Sequence, residues 1–324
     1  MPTPDASGTP TPAGHGSGRT RRPRRRAAKA HRMGFVTILG RPNAGKSTLL
    51  NTLLQEKLAI TSPRPQTTRQ QLLGILTHDD YQIVFWDTPG YMRRTRDALD
   101  RRMLGHVQEA MLAADVALLV AEPRPPGDTE KSLLKALADE ETPTVIAVNK
   151  VDKVSKPTLL PVIQAYHELA PAAEIVPISA LNADGTDILV QLLVERLPRR
   201  GPEYAADELT DRSERFLASE MVREQLFRRF GQEVPYDTAV EVEEFAEADG
   251  VERTKDYLRV VVYVNRVSQR RILIGKGGSA MKEVATAARL QMENLFGRPI
   301  FLEVWVQVWG EWRDDPAFLE DVGY

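Results

Sequence analysis

The chain has 324 residues, room for about two domains, and 42% of them are hydrophobic, so a substantial core can be buried. Its formal net charge of −2 hides an uneven spread: residues 1–32 hold eight Lys/Arg and one acid, which leaves the remainder near −9. The absence of cysteine excludes disulfides and thiolate metal sites and fits a reducing compartment, and no apolar run approaches the ~20 residues of a membrane helix or forms a secretory signal.

Residues 1–32 are rich in Pro, Gly, Thr and Arg and offer almost nothing to bury, which predicts a disordered basic tail. The run Arg21-Arg22-Pro23-Arg24-Arg25-Arg26 reads as a solvated segment, a nucleic-acid arm or a mitochondrial targeting segment. Scarce Ser and the lack of an amphipathic helix before Gly34 make targeting, and hence a matrix location, the minor alternative.

Residues 33–198 repeat strand, loop and helix. Short apolar runs at 35–39, 81–86, 116–121, 144–148 and 174–178 alternate with helix-period segments at 46–55, 98–113, 129–138 and 187–197. Wholly apolar strands alternating with helices predict an α/β domain, a mostly parallel sheet covered on both faces. Ligands bind such sheets at the C-terminal ends of the strands. Two prolines and a glycine within 197–202 mark a linker, placed at 199–208. Beyond it, 209–230 reads as a long helix, 238–245 and 258–264 as strands, 279–296 as a helix and 300–309 as a strand. Residues 209–324 are therefore expected to form a second, smaller α+β domain.

The strand ends carry the chemistry. Gly40-Arg41-Pro42-Asn43-Ala44-Gly45-Lys46-Ser47, followed by Thr48, matches the phosphate-binding loop G-x-x-x-x-G-K-[ST] between a strand and a helix. Its glycines let backbone N–H groups wrap phosphates, Lys46 supplies a point charge, and Ser47 supplies a hydroxyl to Mg²⁺. Asp87-Thr88-Pro89-Gly90, with Tyr91 next, ends another strand. Alone it is a plain turn; forty residues after Lys46, Asp87 is placed to hold the magnesium shell through water and the Gly90 N–H to read the γ-phosphate. Asn149-Lys150-Val151-Asp152 ends a third strand. The Asp152 carboxylate can accept both N1–H and N2–H of guanine, a donor pair adenine lacks. Asn149 is assigned to the base N7 and the Lys150 stem to the ring face. Ser179-Ala180 would bring a backbone N–H to the guanine O6. In the loop at 61–68, Thr67 and Thr68 are both candidates to complete the magnesium shell.

These motifs, with Gln66-Thr67-Thr68-Arg69, resemble those of the Era-like family of P-loop GTPases. The C-terminal half agrees: Val267-Ser268-Gln269-Arg270-Arg271-Ile272-Leu273-Ile274-Gly275-Lys276-Gly277-Gly278 is similar to that family's KH (type II) signature. So are Trp312-Arg313-Asp314-Asp315 and the closing Gly323-Tyr324. The resemblance spans about residues 34–324. It implies GTP hydrolysis to GDP and phosphate with Mg²⁺, with Lys46 and Thr68 as catalytic groups and Thr68 as the magnesium-binding threonine. A potassium ion at Asn43 is implied likewise. It further implies a KH domain that binds single-stranded RNA near the 3′ end of small-subunit ribosomal RNA, and a role in maturation of that subunit on pre-30S particles. The location implied is the cytoplasm and the inner face of the cell membrane, as a peripheral protein, and the chain is expected to be a monomer. Tyr91-Met92 depart from the family pattern, which has an aliphatic residue and then histidine. No glutamine follows Gly90 until Gln108, so no side-chain base is assigned and slow intrinsic turnover is expected.

Residues 251–300 hold ten Lys/Arg against four Asp/Glu, whereas 203–250 hold five against fourteen. Positive charge thus gathers around Gly275-Lys276-Gly277-Gly278, a G-x-x-G turn where an RNA backbone can approach closely. Arg270, Arg271, Lys276 and Lys282 can neutralise phosphates and Ile274 would floor the base groove. Trp305 and Trp309, four apart on the last strand, read as core packing rather than stacking platforms, as does Trp86. The five histidines show no metal-ligand spacing. Alternatives that stay open are an RNA chaperone with a structural nucleotide, a sister-family tRNA-modification GTPase, and an ATPase.

Overall fold

The computed structural model describes residues 31–92, 95–251 and 253–324. The arginine run of the basic tail lies outside the described residues. Arg32, assigned to the tail by composition, instead opens strand β1 (Arg32–Leu39) opposite Tyr81. Its guanidinium donates to Leu197 O at 2.5 Å and Glu195 O at 3.0 Å, which fixes a charged residue at a strand start.

A six-stranded sheet has the order β2-β3-β1-β4-β5-β6, formed by β1, β2 (Leu72–His78), β3 (Tyr81–Asp87), β4 (Val116–Ala121), β5 (Thr144–Val148) and β6 (Glu174–Pro177). Only β2 is antiparallel to its neighbour. The central strands β1 and β4 have no solvent-facing side, hence their unbroken apolar runs. Helices α1 (Lys46–Leu54) and α5 (Thr186–Arg196) cover one face through Leu49, Leu50, Leu53, Leu189 and Leu193. On the other, α2 (Ala98–Ala113), α3 (Asp128–Asp139) and α4 (Lys156–Leu169) bury Val107, Leu133, Leu137, Leu159 and Tyr166. Chain order reverses at β1, and the crevice there is where such sheets take ligands.

The edge strand β2 is capped by the segment just after the linker. Ile75 N donates to Leu209 O at 2.9 Å, and Arg212 Nη2 to Gln71 O at 2.5 Å. Residues 209–212 therefore run along a sheet edge instead of opening the helix expected from 209. Helix α6 (Glu214–Arg229) begins after Ser213, whose hydroxyl caps Phe216 N. The second sheet, β7-β8-β9, comprises β7 (Thr238–Ala246), β8 (Asp256–Val264) and β9 (Ile300–Val308), with β7 antiparallel and β9 parallel to β8. Helices α6, α7 (Val267–Ile274) and α8 (Ser279–Phe296) pack on one face of it through Val222, Leu226, Leu273, Val284 and Met292. A 3-10 turn at Trp312–Asp314 and α9 (Pro316–Asp321) then return toward α2. The fold is thus a P-loop α/β unit followed by an α+β unit of KH type.

Candidate nucleotide site and nucleic-acid interface

The turn between β1 and α1 is built on positions that exclude side chains. Gly40 has φ 145° and a Cβ there would lie 2.3 Å from Val120 O; Gly45 has φ 102° and its Cβ would meet Asn149 Nδ2 at 2.3 Å. The loop is therefore pressed against β4 and the loop after β5, with no room for an alanine at either glycine. Gly90 is also crowded, its Cβ position lying 2.7 Å from Pro42, and Tyr91 N donates to Gly40 O at 3.1 Å. The loop after β3 thus leans directly on the phosphate loop. A cavity of about 420 Å³ opens here, lined by Pro42, Asn43, Gly45, Lys46, Ser47, Thr48, Thr68, Gly90 and Lys150 among others. Arg41 turns out of it to pair with Glu130 on α3 at 2.7 Å. A larger hollow, about 780 Å³, lies between Arg32, Tyr81 and Glu195, away from every phosphate-binding element.

Lys46 is 6% exposed and donates to Gly40 O and Arg41 O at 3.3 and 3.2 Å. Burial lowers its pKa to about 8, opposed by the charge of Asp87. Asp87 is fully buried, and burial raises its pKa to about 6 against the pull of Lys46 and the Ser47 hydroxyl. Both shifts leave the pair charged at pH 7. Asp87 Oδ2 accepts from Ser47 Oγ at 2.6 Å, and Ser47 Oγ lies 3.0 Å from Thr68 Oγ1. Asp87 Oδ1 is buried without a hydrogen-bond partner. An orphaned carboxylate oxygen beside two converging hydroxyls is a hard oxygen set of the kind Mg²⁺ takes when phosphate oxygens fill the remaining positions. Of the two candidate threonines, Thr68 joins this set. Thr67 is bound within its own loop, to Ser62 Oγ at 2.7 Å and Arg64 O at 2.9 Å.

At the base end the structure adds a second role for Asn149. Asn149 is 2% exposed, and one of its two amide N–H groups and its carbonyl oxygen are engaged within the protein, which leaves the second N–H for a ligand. Its Nδ2 donates to Ala44 O at 2.9 Å, while its Oδ1 accepts from Ala180 N at 2.9 Å and Lys150 N at 2.8 Å. The side chain assigned to the base N7 clips three loops together, and the Ala180 N–H assigned to O6 serves that clip. Asp152 is exposed; Ser179 Oγ donates to its Oδ1 at 2.6 Å, which aims the carboxylate and leaves Oδ2 for a ligand. Lys150 has φ 66°, and its Nζ reaches Asn43 O at 2.6 Å and Glu122 Oε1 at 2.7 Å, laying its stem across the cavity. Val151 turns inward, packing on the core beneath α3 and α4. Asn43, at φ 64°, donates to Pro63 O at 3.0 Å, tying the phosphate loop to the segment that carries Thr68.

The second candidate site lies between α7, α8 and β9. Gly275, Gly277 and Gly278 have φ of 75°, 59° and 80°, so the G-x-x-G turn uses left-handed backbone at three of its four positions. A groove of about 380 Å³ is lined by Arg270, Ile274, Gly278, Met281, Lys282, Ala285, Val304, Trp305 and Val306. Lys276 and Gly277 stand exposed at its mouth. Arg271 is exposed but outside the lining. Trp305 corrects the sequence reading: it is 55% exposed at the rim of the groove, because β9 is the sheet edge and its even-numbered residues, Val304 and Val306, take the core side. Trp309 is 45% exposed and stacks on Phe318 at 5.0 Å. Trp86 is half-buried against Phe35.

Fold and site together define a class: a P-loop GTPase joined to a KH domain. A family model described as a 50S ribosome-binding GTPase matches residues 35–150, and a KH-domain model matches residues 233–313. The chain is 45% identical over 295 residues to GTPase Era of Xanthomonas oryzae pv. oryzae, covering 91% of this chain and 97% of that protein. It is 40% identical over 296 residues to GTPase Era of Lactobacillus delbrueckii subsp. bulgaricus, covering 91% and 96%. It superimposes with a TM-score of 0.87 and 35% identity on Era in complex with MgGDPNP and nucleotides 1506–1542 of 16S ribosomal RNA, covering 91% and 99%. An Aquifex aeolicus Era variant bound to GDP and AlF4⁻ matches equally well, at a TM-score of 0.87. The chain belongs to the Era family of GTPases, and its reaction is hydrolysis of GTP.

Proposed function

We propose that this GTPase uses its nucleotide state to control a single-stranded RNA clamp, and that the RNA is the 3′ region of small-subunit ribosomal RNA, as in the relative crystallised with 16S nucleotides. The observation that carries the reading is the meeting of Ser47, Thr68 and the orphaned Asp87 oxygen beside Lys46. Thr68 sits on the loop that faces the γ-phosphate position, so a magnesium ion shared with that phosphate would engage its hydroxyl in the GTP state and not in the GDP state. Mg²⁺ bound there neutralises charge on the β- and γ-phosphates. Lys46 releases its two carbonyl bonds and turns its charge to the same phosphates. Backbone N–H groups of 43–48 wrap them, and Asp152 selects guanine with its free oxygen. The Asn149 clip holds Ala44, Lys150 and Ala180 in register, so base recognition and phosphate recognition share one rigid frame.

Water is oriented by backbone, by a potassium ion at the Asn43 carboxamide or by a partner, since Tyr91 stands where a glutamine would serve. Turnover of the isolated protein is accordingly slow. In the KH groove Arg270 and Lys282 meet phosphates, Lys276 and the glycines admit the backbone, Ile274 floors the bases, and Trp305 offers a stacking face. Arg271 adds charge from outside the lining. The division into a nucleotide domain over 33–198, a linker over 199–208 and an RNA domain over 209–324 follows this split of tasks. The protein acts as a monomer on pre-30S particles, in the cytoplasm and at the inner face of the membrane. The experiment is fluorescence anisotropy with a labelled oligoribonucleotide of the 16S 3′ region, comparing wild type with the Lys276→Asp/Gly277→Asp double variant. GDP affinity serves as the folding control. Loss of RNA binding with GDP binding intact is expected; unchanged RNA affinity removes the groove from the account.

A further inference from the structure

Arg69 directly follows the threonine of the magnesium set, yet its side chain belongs to the other domain. It is 2% exposed. Its Nη1 donates to Thr238 O at 2.6 Å and Tyr324 Oη at 3.3 Å, and its Nη2 to Tyr236 O at 2.8 Å and Pro235 O at 3.2 Å. The guanidinium carbon lies 5.7 Å from the Phe227 ring centre, 5.7 Å from Trp312 and 5.8 Å from Tyr324. All of these partners lie in the RNA-binding half. Its hydrogen-bond acceptors are main-chain carbonyls and a phenol. Burying a guanidinium among neutral groups is costly, and burial indeed lowers its pKa to about 10. Such an arrangement is tolerated where the fixed, planar fork of donors serves a purpose.

The same segment is gripped at its other end. Glu224 of α6, fully buried, accepts from Thr61 N at 2.9 Å and pairs with Lys57. The residue beside the cage also reaches the loop after β3: Arg313 pairs with Asp97 at 2.7 Å and Asp100 at 3.4 Å at the start of α2. Tyr236 O accepts from both Arg69 and Arg313 at 2.8 Å. One carbonyl of the RNA-binding half thus joins both nucleotide-sensing segments.

We infer that Arg69 is a positioning residue: anchored in the Phe227–Trp312–Tyr324 cage, it holds the adjacent Thr68 hydroxyl at the magnesium position, so that the RNA-binding domain itself completes the triphosphate site. The inference rests on the reading of Thr68 as a magnesium ligand and goes beyond it. Thr68 Oγ1 stands 3.0 Å from Ser47 Oγ while Arg69 is seated, one peptide unit away. Displacing the guanidinium frees the Thr68 backbone without touching the phosphate loop or the base-binding residues.

The test uses the full chain and compares Arg69→Gln, Arg69→Lys, Tyr324→Ala and Thr68→Ala. The readout is the affinity for a non-hydrolysable GTP analogue as a function of Mg²⁺, alongside GDP affinity, kcat and KM. Arg69→Gln is expected to raise the Mg²⁺ needed for half-maximal analogue binding by about 10–100-fold, the usual penalty for losing the group that orients a ligand. It should lower kcat alongside, leave GDP affinity within about twofold, and resemble Thr68→Ala. Arg69→Lys keeps the charge but loses the fork, and is expected to rescue only in part. Tyr324→Ala, remote from the nucleotide, should move the Mg²⁺ dependence in the same direction. If Thr68→Ala shifts the Mg²⁺ dependence and Arg69→Gln does not, the positioning role is overturned. If Arg69→Gln depresses GDP affinity and melting temperature together, the residue is a domain staple and the inference fails. If Thr68→Ala itself shifts nothing, the magnesium role of Thr68 fails and takes the inference with it.

Discussion

Asn149→Ala separates two roles for this side chain. In the structure the carboxamide satisfies three main-chain groups: Ala44 O, Lys150 N and Ala180 N. It does so at 2% exposure, where water cannot readily replace it. A buried hydrogen bond contributes about 1 kcal/mol net, so deleting three costs about 3 kcal/mol. With a urea slope of about 2 kcal/mol per molar, the midpoint of the nucleotide-free protein should fall by about 1.5 M. The assay is urea denaturation without nucleotide, followed by circular dichroism, with amide exchange at Lys150 and Ala180 as the local readout. Affinities for GTP and ATP should decline together, because the shared frame of the loops is lost. The reasoning is refuted if the midpoint holds within about 0.3 M while guanine affinity alone falls. In that event Asn149 would act on the base and not on the loops.

Asp152→Asn replaces the acceptor facing guanine with an amide; GTP affinity should fall about 100-fold and xanthosine triphosphate should become the better ligand, read by competition with a labelled nucleotide. Asp87 must be ionised to take part in the magnesium shell, and burial raises its pKa to about 6. Protons therefore compete with the metal below that value: at pH 5 Mg²⁺ affinity should be about tenfold weaker than at pH 7.5, after correction for the nucleotide's own titration. A titration flat across this range contradicts the burial effect. Trp305→Ala should weaken single-stranded RNA binding by about 1–3 kcal/mol without altering GDP affinity, because the ring stands exposed at the rim of the groove and not in the core. Anisotropy titration checks it, and a destabilised protein with unchanged RNA affinity would return Trp305 to a packing role.

Much of the nucleotide site is legible in the sequence because its chemistry is local. Gly40, Gly45, Lys46 and Ser47 act through a single turn, and that turn's backbone demands can be read from the residue types. What escapes is set by the third dimension. Strand β2 is a continuous Leu-Leu-Gly-Ile-Leu run with a central glycine, and no alternation marks it. A Cβ at Gly74 would lie 2.8 Å from Leu50 Cδ1, so α1 lies close over the strand at that point. Helix α4 contains Pro157 at its start and Pro161 inside, which read as breakers, yet its buried face of Leu159, Val162 and Tyr166 holds it together. Arg69 carries no role in the sequence beyond closing the Gln66–Arg69 motif; its cage comes from Phe227, Trp312 and Tyr324, far along the chain. Trp305 reads as core because large strand residues usually are, and only its place on an edge strand beside the G-x-x-G turn turns it outward.

Titration calorimetry of the purified full-length protein with GTP, GDP and ATP, each with and without Mg²⁺, reaches the core of the account most directly. Guanine nucleotides should bind at least about 100-fold more tightly than ATP, through the oxygen of Asp152 that Ser179 leaves free. Mg²⁺ should strengthen binding of GTP more than of GDP, since only a γ-phosphate lets Thr68, Ser47 and Asp87 share one ion with the nucleotide's terminal oxygens. Equal affinity for ATP and GTP, or a Mg²⁺ effect identical for GTP and GDP, would contradict it.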